Sequence, residues 1–145
     1  MSIMKMTESA RTVFEKLLYE GMSCTLATAS LDGVPEAATI GYAADEKYGL
    51  YFQTFAHYRK YKNLEKNPCG SIVITNKLTS VQMDGKTDEL KGEKKERARK
   101  MLLAKYGDEM ECYLDSPSAV FFKFTPHWIR LLKDDTYPPT YEMVE

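Results

Sequence analysis

The sequence predicts a mainly β protein, a six-stranded antiparallel barrel with flanking helices. Three observations carry this expectation. Six segments in succession read as strands, turn residues separate most of them, and helices are confined to the N-terminus, one crossover and one late segment. A parallel sheet needs a helix after nearly every strand, whereas an antiparallel sheet closed into a barrel needs only turns and also hides its edges.

The elements follow in order. Ala10, Val13, Phe14, Leu17 and Leu18 recur at helical spacing, Thr7 or Ser9 can cap the start and Gly21 can close the end, so residues 8–20 form an amphipathic helix. Ser23–Ser30 is rich in Thr and small residues, Leu31-Asp32-Gly33 supplies turn chemistry, and Glu36–Ala43 is a second strand-like run, which together make a β-hairpin. A polar turn, Asp45–Gly49, leads into Leu50–Thr54, whose aromatics suit a third strand of an antiparallel meander. The basic and aromatic run His57–Lys66 reads as a short helix, stopped by Asn67-Pro68 before a fourth strand, Ser71–Thr75. Thr79–Leu90 alternates as a long fifth strand with Gly85 as a bulge or tight bend. Glu93–Tyr106 reads as a charged helix buried along Ala98, Met101, Leu102 and the stem of Lys105. Ala119–Lys133 holds two apolar runs separated by Thr125-Pro126 and reads as a last, bent strand pair, and the tail Tyr137–Thr140 as extended chain. No repeat or low-complexity linker divides residues 1–145, so one domain is expected.

Composition excludes several classes. A chain of 145 residues with 43% apolar and 28% charged residues is that of a soluble globular protein. No apolar run approaches the ~18 residues of a membrane span. The N-terminus lacks the basic patch and apolar stretch of a secretory signal, so a cytoplasmic location is expected. Twenty basic and twenty-one acidic residues nearly cancel, which leaves no global field to attract a nucleic acid. Cys24, Cys69 and Cys112 form no CxxC and are expected to be reduced, buried small hydrophobes. His57 and His127 have no companions at ligand spacing, so no metal site is expected. There is no GxSxG, GxGxxG or GxxxxGK[ST], and the run KGEKKERARK mixes signs as a solvated helix face does.

The informative stretch is Gln53-Thr54-Phe55-Ala56-His57-Tyr58-Arg59-Lys60. A strand ending in a hydroxyl residue, then a turn and two adjacent cations at a helix start, can hold a phosphate through hydroxyl, cationic and backbone N–H donors. A solvated basic helix is the other reading, and composition alone favours it. The ordered set LATAS-LDG-VPEAATIGY, GLYFQT, YRKYKNLEKNP-GSIVI and SVQMDGKTDEL resembles the pyridoxamine 5′-phosphate oxidase-like, FMN-binding split-barrel superfamily over about residues 10–133. The resemblance implies that FMN is bound, its phosphate gripped by Thr54, Arg59 and Lys60 with Gln53 beside them. Arg59 and Lys60 are expected to be exposed without ligand. It implies an isoalloxazine ring lying along Ala38-Thr39-Ile40-Gly41, where small residues permit close approach, and a polar contact from Ser80 or Gln82, which could equally be ordinary outward strand residues.

The true oxidases carry a tryptophan and an Arg-x-His-x-Arg signature near the C-terminus, whereas Trp128 and Arg130 here do not reproduce that spacing. Vitamin B6 oxidation is therefore not expected, and Trp128 reads as structural. The chain looks closer to the shorter general stress proteins and nitroimidazole-resistance reductases. The implied function is an FMN-dependent oxidoreductase acting on a small redox substrate, such as a nitroaromatic, a quinone or a nicotinamide. No acid or base residue is required of the protein, and none is assigned. A flavin- or haem-binding module without turnover and a cofactor-free dimer are the alternatives. The resemblance also implies a homodimer with flavin sites at its interface, with Tyr42, Tyr51, Phe55 and Phe121 or Phe122 as contacts unless the core buries them.

Overall fold

The computed structural model describes residues 7–133 and 140–144. Helix α1 (Glu8–Glu20) is followed by β1 (Cys24–Ala29), β2 (Pro35–Ile40), β3 (Ala43–Ala44) and β4 (Leu50–Phe55). Helix α2 (Arg59–Lys66) leads to β5 (Cys69–Asn76) and β6 (Thr79–Glu89). Helix α3 (Gly92–Tyr106), a single 3-10 turn (Asp108–Met110) and α4 (Glu111–Leu114) precede β7 (Ala119–Lys133) and β8 (Thr140–Val144). Of the expected extended tail, Thr140 opens β8 and residues 137–139 lie outside the described residues.

Among the described residues one antiparallel sheet runs in the order β2-β1-β5-β6-β7-β4-β3, with β8 added to the far half of β7. This is the expected curled, mainly β architecture with flanking helices, but it has eight strand segments rather than six. The expected meander of the first three strands is corrected, because β4 pairs with β7 and β3, and not with β2. The chain leaves β2 at Ile40 and crosses at Gly41-Tyr42 to the opposite end of the sheet, so β2 and β3, neighbours in sequence, are the two ends of the strand order. That gap is the split of the barrel.

The core explains the local choices. Thr7 caps α1 by accepting from Ala10 N at 3.2 Å, and the helix buries Ala10, Phe14, Leu17 and Leu18 inside the sheet's concave face with Leu26, Phe52, Ile72, Met83 and Phe124. A second cluster lies on the other side of β4, where Tyr51 and Phe121 pack under Ala98, Leu102 and Leu114. Strand β4 is thus covered on both faces. Tyr42, Tyr51, Phe121 and Phe122 are all under 5% exposed within the chain, so the core buries them, and only Phe55 of that set is half-buried. Of the cysteines Cys24 alone is buried, while Cys69 and Cys112 are exposed.

Strand β7 is one continuous strand, not a pair, and it bridges the molecule. Its first half pairs with both β4 and β6, and its register with β6 slips between Asp84 and Gly85. The bulge expected at Gly85 is present, and its cause is close approach: a Cβ there would lie 2.3 Å from Thr125 O and 2.8 Å from Phe124 Cζ. Trp128 stands half-buried near this bend with the Arg130 guanidinium 5.4 Å above its ring. We predict that Gly85→Ala destabilises the fold by about 3 kcal/mol, the range of an overpacked core site whose obstacle is backbone. A lowered urea midpoint at unchanged m-value checks this, and an unshifted midpoint contradicts it.

Candidate functional site

Where the barrel splits, the ends of β2 and β4 come together under α3 and α4. They leave a cleft of about 360 Å3 lined by Thr39, Ile40, Gly41, Gln53, Thr54, Phe55, Tyr58 and Lys60 from the strand side, and by Leu102, Tyr106, Met110 and Tyr113 from the helical side. Six of the ten residues expected from sequence therefore meet in one place: Thr39, Ile40, Gly41, Gln53, Thr54 and Lys60. The other four do not line it. Ala38 faces the barrel interior opposite Leu26. Arg59 lies beside it, over a smaller hollow with Glu36. Ser80 and Gln82 stand on the outer face of β6, where Gln82 Oε1 accepts from Arg130 at 2.7 Å.

The polar end of the cleft is built by the β4–α2 connection. Strand β4 turns the Thr54 side chain toward the barrel interior, opposite Val120, and Thr54 is 3% exposed. Its Oγ1 is buried and has no hydrogen-bond partner in the protein. A buried hydroxyl without a partner costs free energy, so such a group marks a place where a ligand or water supplies the missing bond. The chain then turns through Ala56-His57 and starts α2 at Arg59. The first turn of this helix gives opposite fates to its two cations. Arg59 projects outward with its side chain 81% exposed, whereas Lys60 is 8% exposed and its ammonium lies 4.7 Å over the Tyr58 ring. The expectation that both would be exposed is thus corrected for Lys60, whose stem packs with Leu64 on the inner face of α2. Burial pulls the Lys60 ammonium below its ordinary pKa, a shift that the nearby Glu36 carboxylate opposes and Arg59 reinforces. A desolvated cation and a residue with an unpartnered hydroxyl lining one cleft are a poor arrangement for the protein alone and a good one for an anion.

The apolar end is held by α3. Tyr106 Oη accepts from Tyr42 N at 2.9 Å and reaches Met22 O at 2.7 Å, with Tyr42 O an alternative acceptor at 3.0 Å. Lys105 Nζ donates to Gly21 O and, at 2.7 Å, to Tyr42 O, and sits 3.9 Å over the Tyr42 ring. These bonds fasten the helix across the split, and they fix Gly41 so close to Tyr106 that a Cβ would lie 3.0 Å from its hydroxyl. Sequence reasoning missed this helical wall. No local pattern marks Tyr106, Met110 and Tyr113 as facing residues more than 45 positions away. A larger cleft of about 500 Å3 opens between α1 and the β5–β6 turn, but it contains none of the expected residues and neither of the two buried unpartnered side-chain atoms found among the described residues.

A flavin mononucleotide has one phosphate and a planar apolar ring, and both ends of the cleft suit it. Thr54 Oγ1 and Lys60 Nζ match the phosphate, while Gly41, Ile40, Leu102, Met110 and the two tyrosines offer a small, largely apolar lodging for part of the ring. The volume falls within the usual range of small-molecule sites.

Fold and cleft together define a split β-barrel with an open cleft at the split. The chain belongs to the pyridoxamine 5′-phosphate oxidase family, whose model matches residues 10–133. No curated protein sequence matches it significantly. Solved structures share its fold at low identity. A protein of unknown function from Agrobacterium tumefaciens is 16% identical with a TM-score of 0.81, and the match covers 92% of this chain and 61% of that one, so the chain spans less than two thirds of that relative. The heme storage protein HutZ from Vibrio cholerae is 15% identical with a TM-score of 0.73, covering 86% and 92%. A proposed 5-nitroimidazole antibiotic resistance protein from Bacteroides thetaiotaomicron is 16% identical with a TM-score of 0.68, covering 85% and 82%. At these identities the likeness carries the fold alone. Among the described residues no helix is long and apolar enough to cross a membrane.

The clamp across the split gives a pH prediction. Burial pushes the Lys105 ammonium down to about 8 from 10.5, so between those values the folded state has released a proton that the unfolded state still holds. Stability then rises with pH in that window. The wild type should gain stability relative to Lys105→Met between about pH 8 and 10.5, measured by urea unfolding. A pH-independent difference contradicts the assignment.

Proposed function

We propose that this chain is an FMN-binding oxidoreductase that uses the cleft at the barrel split as its flavin site. The observation that carries the reading is the buried, unpartnered Thr54 Oγ1 in the same cleft as the desolvated Lys60. A phosphate would accept from the hydroxyl and offset the buried cation in one step. Arg59, nearby and exposed, would add a longer-range charge. When bound, a flavin would supply hydride or single-electron transfer to a small redox substrate.

The protein's own part is binding, orientation and exclusion of water. Thr39, Ile40 and Gly41 present the end of a strand whose small residues allow close approach, and Leu102 and Met110 exclude water from the opposite side. Burial holds the Tyr106 phenol above its ordinary pKa, so it stays neutral at physiological pH and acts as a wall and a hydrogen-bonding group. A haem would instead need an axial ligand. The lining offers phenols and the Met110 thioether, which haem proteins do use as ligands, but a haem iron gives no account of the buried unpartnered Thr54 hydroxyl, which a phosphate does, and that observation favours the flavin reading.

We further propose that the working form is a homodimer. An open cleft in one small subunit leaves much of a flavin's ring uncovered, and a second copy related by a two-fold axis can supply the missing wall. Ser80 and Gln82 lie outside this chain's own cleft and are available on its outer face for such a contact.

Two predictions follow from the site. Thr54→Val and Lys60→Met should each weaken FMN binding by about 1.5–3 kcal/mol, as for a charge-assisted bond, and leave riboflavin affinity unchanged. Flavin fluorescence titration decides this, and unchanged FMN affinity in both variants removes the phosphate from the cleft. Sedimentation equilibrium of the FMN-loaded protein should give twice the chain mass, with flavin lost as the dimer dissociates on dilution. A monomer that retains tight FMN contradicts the shared site.

A further inference from the structure

The second buried, unpartnered polar atom lies on the other side of the Arg59–Lys60 pair. Glu36, on β2, has a side chain only 11% exposed, and its Oε2 is buried with no hydrogen-bond partner. Its Oε1 stands 3.9 Å from Arg59 Nη2, at the outer limit of an ion pair. The register of the β1–β2 hairpin sets Glu36 opposite Thr28. One turn beyond Arg59, Asn63 comes from α2 to the same spot, but its amide donates to Thr28 Oγ1 at 3.0 Å. Glu36, Arg59, Lys62 and Asn63 border one hollow of about 180 Å3. A carboxylate so placed, with one oxygen loosely paired and the other unsatisfied, is a poor device for stability, since burial of a charge costs more than a loose pair returns. Its neighbours explain it better: the charge faces the two cations available to a phosphate.

We propose that Glu36 is the internal counter-ion of the Arg59–Lys60 pair, a carboxylate that competes with an incoming phosphate monoester and so sets the site's affinity for it. The inference rests on the reading of the cleft as a phosphate site and deepens it by naming a residue that tunes selectivity. Without ligand, Glu36 neutralises part of the positive field at the start of α2. With a phosphate at Thr54 and Lys60, two anions share that field, and their repulsion in a partly desolvated setting lowers affinity for phosphorylated ligands without touching the apolar end of the cleft. Glu36 is thus a positioning and selectivity residue, and it contacts no reacting atom.

The test compares wild type, Glu36→Gln, Arg59→Ala and the double variant, with FMN and riboflavin by fluorescence titration and with inorganic phosphate by thermal shift. Glu36→Gln should bind FMN about three- to tenfold more tightly and riboflavin as wild type does. The gain should shrink in the Arg59→Ala background, as expected for coupled residues. A purely structural role for Glu36 would move FMN and riboflavin together, and that result overturns the proposal, as does equal or weaker FMN binding. Glu36→Asp keeps the charge and should keep wild-type selectivity, and Asp behaving like Gln counts against the proposal. If wild type binds neither flavin, the flavin reading fails by itself. The phosphate arm then decides Glu36 alone: a larger thermal stabilisation by phosphate in Glu36→Gln supports it, and an equal one overturns it.

Discussion

The pairing of β7 with β6 along most of its length, and with β4 along its first half, is the interaction on which the rest of this structure depends. It makes β7 the shared edge of two sheet halves. The slip at Gly85 lets the ladder bend there, because the backbone of Thr125 comes closer than any side chain would allow. From that bend follow the curl of the sheet, the capture of α1 in the concave face and the gap between β2 and β3. The gap in turn decides where a ligand can enter. A closed barrel would have joined β2 to β3 and left no gap there.

The polar end of the site inherits its strain from this arrangement. Because β4 is covered on both faces, its last inward side chain, Thr54, is sealed from water before any partner has been supplied. Because only three residues separate the end of β4 from the start of α2, Lys60 is drawn inward with Leu64 while Arg59 stays out. A hydroxyl without a partner, a desolvated ammonium and a loosely paired carboxylate then lie around one helix start. Each is unfavourable in the protein alone, and proteins tolerate such groups chiefly where function uses them. The family to which the chain belongs explains why a flavin is the first ligand to test, but the case for a phosphate stands on Thr54 and Lys60.

Much of the fold was legible because its signals are local. The α1 periodicity, the Leu31-Asp32-Gly33 turn, the alternation of β6 and the lone Gly85 all report on neighbours a few residues away, and the structure bears them out. Pairing is not local. Nothing between Asp45 and Phe55 says that β4 prefers a strand some seventy residues later to the one just before it, and so the expected meander was replaced by a crossover at Gly41-Tyr42. Residues 119–133 show the same limit: Thr125-Pro126 reads as a break in sequence, yet the chain continues through it because the bulge on β6 absorbs the irregularity. In the site, Thr54 and Lys60 were visible as types in the right order, whereas the burial of Lys60, the wall formed by Tyr106 and Met110, and the orphaned oxygen of Glu36 arise only when distant elements pack.

The central claim is that the cleft at the split is a phosphate-anchored flavin site. A crystal structure of the protein soaked with FMN tests it most directly. The account predicts electron density for the phosphate within hydrogen-bonding distance of Thr54 Oγ1 and Lys60 Nζ, with the ring directed toward Gly41. Density for the phosphate at any other surface, or a cleft left unchanged in crystals soaked at saturating FMN, contradicts it.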